Sequence, residues 1–97
     1  MYKLSHLAVE DFTAIYEYTL LNFGVIQADK YTEHLESTLQ LLSTSPLIGY
    51  ECLEIARGIR RHDHQHHAIF YRKREQDILV IRILHQQMNP IKHFFEL

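Results

Sequence analysis

Only one cysteine, Cys52, occurs in the chain. It can close no internal disulfide and has no thiol partner for a metal knuckle, so a disulfide-stapled or zinc-ribbon scaffold is excluded and a reducing compartment is implied. No stretch of about 18 apolar residues is present, and the N-terminal Met1 to Leu7 has no signal-peptide core, so the protein is expected in the cytosol with no membrane partner. Positive charge is also scarce. Twelve Asp and Glu exceed ten Lys and Arg, for a net charge of -2. The broad cationic field that draws proteins to phosphate backbones is missing, and no direct sequence-specific nucleic-acid binding is expected. Internal repeats and low-complexity linkers are lacking too. With 97 residues there is room for one core, and residues 1–97 are read as a single domain.

What is present divides near Pro46, with helical periodicity before it and strand-like periodicity after Gly58. Tyr2 to Leu4 is short and β-prone, and Ser5 is placed to cap a helix. Ala8, Phe12, Ile15 and then Tyr18 or Thr19 recur every three to four residues, with Glu10, Asp11 and Glu17 on other faces. Gly24 can close that helix in a left-handed conformation. A second stripe, Ala28, Tyr31, Leu35, Leu39 and Leu42, ends before Ser43-Thr44-Ser45-Pro46, because the residue before a proline is pushed out of the α region. So short a link predicts an antiparallel hairpin.

Leu47 to Ala56 is irregular and is read as a loop with a turn at Gly49. Three strands are predicted next, at Gly58 to His64, His67 to Arg72 and Ile78 to Leu84, with a polar turn at Lys73 to Asp77. The last strand is almost wholly apolar except for Arg82. Simple alternation puts Arg82 on one side with Val80 and Leu84, where a cation needs solvent or a partner. Asn89 to Leu97 holds enough apolar residues for a short docked helix or strand. The plan is α+β, with an N-terminal helical hairpin on a small antiparallel sheet in β-α-α-β-β-β order and a short C-terminal segment. Too little chain remains to cover the second sheet face, so that face is expected to be open to a partner.

Ala8-x-x-Asp11-Phe12-x-x-Ile15-x-x-Tyr18, Gln27-Ala28-x-x-Tyr31, Pro46-x-x-Gly49, Gly58-Ile59-Arg60, Ala68-Ile69-Phe70-Tyr71 and Val80-Ile81-Arg82-Ile83-Leu84-His85-x-x-Met88-Asn89-Pro90 follow one another along nearly the whole chain. Together these blocks resemble the ParE branch of the RelE/ParE toxin superfamily. The resemblance implies a growth-arresting toxin of a type II toxin–antitoxin system, of the kind that maintains plasmids or prophages, bound by a cognate antitoxin. Some ParE-type members poison DNA gyrase; RelE relatives cleave messenger RNA in the ribosome. Fold likeness alone does not choose between these activities. A third possibility is a non-toxic regulator that only binds its antitoxin.

A ribonuclease would need a base, an acid and cations converging on one phosphate, and Arg60, Arg61, Arg82 and His85 are the candidates, with Tyr71 or His93 as further proton donors. Adjacent Arg60 and Arg61 point to opposite faces, which thins that set. The acidic balance favours gyrase as target, with Arg82, His85, Met88, Phe94 and Phe95 as contact candidates. Antitoxin contacts are expected at Phe12, Tyr16, Leu35, Leu39, Ile69 and Tyr71, on the hairpin groove and open sheet face. His62, His64, His66 and His67 lack carboxylate or thiolate partners at ligand spacing, so no metal and no cofactor is expected.

Overall fold

The computed structural model describes residues 1–95, with side chains through Phe94. The elements run β1 (Tyr2–Leu4), α1 (His6–Phe23), α2 (Val25–Thr44), β2 (Tyr50–Glu51), β3 (Ile59–His64), β4 (His67–Lys73), β5 (Ile78–His85) and α3 (Pro90–Phe95). No helix among the described residues is long and apolar enough to cross a membrane.

Ser5 ends β1 and begins α1. Its Oγ accepts from the Ala8 N–H at 3.0 Å and donates to the Ile81 carbonyl at 2.7 Å, so one hydroxyl caps the helix and anchors it to the sheet. Gly24, at φ 92°, is the only residue between α1 and α2 and adopts the left-handed backbone that a side chain would disfavour. The hairpin reverses there, and Ala8, Ile15, Thr19, Ala28, Tyr31, Leu35, Leu39 and Leu42 are buried along its inner stripes. Thr19, not Tyr18, continues the stripe of α1; Tyr18 is 64% exposed.

The sheet order is β1-β5-β4-β3-β2. All neighbours are antiparallel except β1, which lies parallel to β5 with Leu4 opposite Val80, so the sheet is mixed where an antiparallel one was expected. The loop expected at Leu47 to Ala56 contains the two-residue edge strand β2, which pairs with Arg60 and Arg61.

Two apolar clusters sandwich the sheet. Leu35, Leu39 and Leu42 meet Ile69, Tyr71, Ile78, Val80 and Ile83 on the helical side. Cys52, Ile55, Ile59, Ala68, Phe70 and Leu84 cluster on the other, with Ile81 and Phe94 against them. The second face is therefore not open as expected: the segment after β2 and helix α3 cover it, leaving Phe70 and Leu84 at 2% exposure or less.

Opposite Tyr71 stands Val80, but opposite Phe70 stands Arg82, so Ile81 is an extra residue in β5. This bulge breaks the alternation. Val80 and Ile83 both face the helices, and Arg82 falls on the side of Phe70 and Leu84, separated from Val80 with which simple alternation had grouped it.

Tyr71 fastens the 46–49 turn to the sheet. Its hydroxyl donates to the Pro46 carbonyl at 2.7 Å and accepts the Gly49 N–H at 2.9 Å. Tyr71→Phe strands both groups in a largely dry site and is expected to lower unfolding free energy by about 2 kcal/mol, read from the urea midpoint at unchanged slope.

Candidate functional site

β1 is only three residues long, so β5 runs on beyond it with an unpaired edge. The chain seals that edge with side chains and turns from α1. Ser5 N–H and Oγ–H take the Val80 and Ile81 carbonyls, and the Asp11 Oδ2 accepts the Ile83 N–H at 3.0 Å. The same carboxylate accepts two hydrogen bonds from Arg82, at 2.8 and 2.9 Å, in a pair whose side chains are 14% and 15% exposed. Arg82 also donates to the His93 carbonyl at 3.3 Å and so ties α1, β5 and α3 together. Those hydrogen bonds to Asp11 hold the guanidinium pKa above its ordinary value against the opposing effect of burial.

Beside this knot a cleft of about 950 Å³ opens between α1, the β3–β4 turn, the end of β5 and α3. Ile15, Tyr18, Phe23 and Met88 supply its apolar wall, and His66, His67, His85 and His93 supply much of its polar lining. Three exposed apolar groups, Tyr18, Phe23 and Met88, stand at its walls. A concave apolar surface with a few convergent polar groups is the usual form of a binding site.

Register aligns His64, His67 and His85 side by side across β3, β4 and β5. The Tyr31 hydroxyl lies 2.6 Å from His67 Nδ1, and the His85 ring meets the His67 ring edge-on at 5.6 Å. Thr38 Oγ1 lies 3.1 Å from His64 Nδ1, while the buried His64 Nε2 has no partner among the described residues. Burial first, and then the neighbouring imidazoles of His85, His66 and His64, lower the His67 pKa to about 4; burial, then His34 and His62, lower that of His64. Both rings are therefore neutral at neutral pH. Because their folded values lie below the unfolded one, stability is complete above about pH 6.5 and is lost as pH falls toward about 4. The urea midpoint is expected to drop between pH 7 and pH 4.5, and to drop less in His67→Gln.

Of the four ribonuclease candidates, only Arg82 and His85 share the cleft. Arg60 lies on the helical side, donating to the carbonyls of Gly49 and Leu47 at 2.9 and 3.3 Å. Arg61 and Arg82 flank Phe70 on the other face, the first bonded to Asp63 at 2.8 Å and 5.5 Å above the Phe70 ring, the second held by Asp11. His85 lines the cleft, where its Nδ1 accepts the Gln87 N–H at 3.1 Å. Tyr71 has its hydroxyl occupied in the interior.

Among the target-contact candidates, Arg82, His85 and Met88 line the cleft and Phe94 packs edge-on against Phe70 at 5.4 Å. The side chain of Phe95 lies outside the described residues. The antitoxin candidates fare worse. Leu35, Leu39, Ile69 and Tyr71 are completely buried between helices and sheet, and Phe12 packs half-buried on the same core, so these side chains shape the scaffold and offer little contact surface. Tyr16 donates to Asp29 across the hairpin at 2.9 Å, outside the cleft. The side chains that do form the wall, Tyr18 and Phe23, sit off the buried stripe of α1.

Residues 2–90 match the family described as ParE toxin of the type II toxin–antitoxin system, parDE. Toxin ParE1 of Caulobacter vibrioides is 34% identical over 92 residues, covering 95% of each chain. Toxin ParE1 of Mycobacterium tuberculosis is 36% identical over 89 residues, covering 91% of each. In fold, the chain is similar to a solved structure of the chromosomal ParDE TA system from P. aeruginosa, with a TM-score of 0.74 at 20% identity over 87% of this chain and 92% of that one.

Proposed function

This chain belongs to the ParE toxin family of type II toxin–antitoxin systems, and on that premise we propose that it arrests growth by binding DNA gyrase, and that a cognate antitoxin neutralises it by filling the cleft between α1 and the end of β5. Residues 1–97 act as one domain, and the target places the toxin in the cytoplasm. The toxin holds gyrase in its cleaved-DNA state, so the damage comes from the target's own chemistry, with no catalytic group and no cofactor of the toxin's taking part.

The observation that carries this reading is the dispersal of the cations. Arg60, Arg61 and Arg82 are each bonded within the fold and divided between two sheet faces; only Arg82 shares the cleft with His85 and His93, and its guanidinium is already held by Asp11, so among the described residues no unpaired cation stands with a base and an acid around one phosphate. A toxin without that convergence acts by occupying a surface. Arg82, His85 and Met88, expected to touch the target, line the same cleft as the α1 side chains available to an antitoxin. Overlap makes occlusion a sufficient means of neutralisation. The relative of this fold from P. aeruginosa is itself a ParDE system.

Incubating the purified toxin with gyrase, plasmid DNA and ATP is expected to inhibit supercoiling and accumulate cleaved plasmid, while messenger RNA on translating ribosomes stays intact. Arg61→Ala is expected to inhibit gyrase within about twofold of the parent. Loss of on the order of a hundredfold, together with ribosome-dependent cutting, would instead establish the ribonuclease.

A further inference from the structure

Among the described residues the cleft contains one carboxylate, and it is already occupied. Asp11 accepts two hydrogen bonds from Arg82 and one from the Ile83 N–H. The other titratable groups around the cavity are Tyr18 of α1, Tyr31 of α2, His66 of the β3–β4 turn, His67 of β4, Arg82 and His85 of β5, and His93 of α3. Among the described residues no second acid lines it. The polar lining is thus rich in hydrogen-bond donors.

His85 has a defined role in this lining. Its Nδ1 accepts the backbone N–H of Gln87, and a backbone amide can only donate. In the neutral ring the proton is therefore on Nε2, which remains a donor. His66 is exposed in the neighbouring turn. Around these imidazoles stand the apolar groups Ile15, Phe23 and Met88.

From this complementarity we infer that the antitoxin segment filling the cleft is amphipathic: apolar side chains against Ile15, Phe23 and Met88, and an Asp or Glu carboxylate against His85 and His66. The inference rests on the antitoxin reading of the cleft given above and adds the chemistry of the occupant. Imidazole changes charge between about pH 5 and 8, and a carboxylate brought beside it favours the protonated ring. Binding of such a carboxylate is therefore expected to be coupled to proton uptake. Affinity is expected to be higher at pH 6.0 than at pH 8.0. His67 contributes little, because it stays neutral until about pH 4.

Isothermal titration of the full-length toxin with the antitoxin encoded beside its gene, at pH 6.0, 7.0 and 8.0 and in two buffers of different ionisation enthalpy, tests this directly. The expected result is uptake of roughly 0.3–1 proton per complex and a Kd three- to tenfold tighter at pH 6.0 than at pH 8.0. Both effects are expected to flatten when His66→Gln and His85→Gln are combined. Ala14→Arg, on an exposed position of the cleft wall, separates the two levels of the argument. If it abolishes binding while the parent shows neither proton uptake nor pH dependence, the acidic occupant is wrong and the cleft assignment stands. Should Ala14→Arg bind as tightly as the parent, the antitoxin sits elsewhere and the inference falls with the cleft.

Discussion

Gly49→Ala is expected to destabilise the toxin by about 3 kcal/mol, a large share of the total for so small a domain. A Cβ built on Gly49 meets the Tyr71 hydroxyl oxygen at 2.5 Å, the Arg61 carbonyl at 2.7 Å and the Tyr71 ring at 2.9 Å. None of these can retreat cheaply. Tyr71 is fully buried in the helical-side core, and the Arg61 carbonyl belongs to β3. The methyl must push the 46–49 turn away from the sheet, and both hydrogen bonds of the Tyr71 hydroxyl are lost with that movement. Urea unfolding monitored by far-UV circular dichroism reads the effect, and a midpoint within experimental scatter of the parent would refute it. Gly58→Ala distinguishes steric crowding from backbone strain, since its Cβ meets nothing within 4 Å but its φ is 88°. Its cost should be about 1 kcal/mol.

Asp11→Ala should cost nearly as much by another route. Among the described residues it leaves the mostly enclosed Arg82 guanidinium with the His93 carbonyl alone as partner, and it uncovers the Ile83 N–H at the edge of β5. Breaking an enclosed ion pair on one side costs about 3 kcal/mol, more than the pair contributes relative to apolar groups of similar shape. Asp11→Leu combined with Arg82→Met is therefore expected to recover much of the loss. The same urea titration compares them; if the double variant is no better than Asp11→Ala, the unpaired cation is not the source of the cost.

Much of this scaffold is legible in the sequence because periodicity reports burial. The α1 and α2 stripes, the Ser5 cap, the Gly24 reversal and the three long strands follow from spacing alone. The site is less legible for the same reason. Leu35, Leu39, Ile69 and Tyr71 stand out as apolar positions because their own chain buries them, which makes them poor contact residues. Of the cleft-wall residues, Tyr18 reads as a possible stripe position yet is exposed, and Phe23 carries no local signature. Gly49 reads as a turn residue, whereas its requirement is the close approach of Tyr71 from 22 positions away. The need of Arg82 for a partner is evident from its apolar strand, but the partner lies 71 positions earlier. The bulge at Ile81, which sets the face of Arg82, depends on pairing that only the assembled sheet defines.

The parallel pairing of β1 with β5 also governs when the toxin comes into being. Ser5 bonds to Ile81 across 76 positions, and among the described residues β1 has no other strand neighbour. A chain emerging from the ribosome can form its helical hairpin early, but the cleft, the Asp11–Arg82 knot and the place of β1 all wait for β5. From the end of α2 at Thr44 to the end of β5 at His85 the chain adds 41 residues (85 − 44), so at about 5–20 residues per second that delay is on the order of 2–8 s. Throughout it the nascent hairpin has an uncovered apolar stripe and no completed toxin behind it. The topology thus acts as a clock that postpones the finished toxin until β5 has been made.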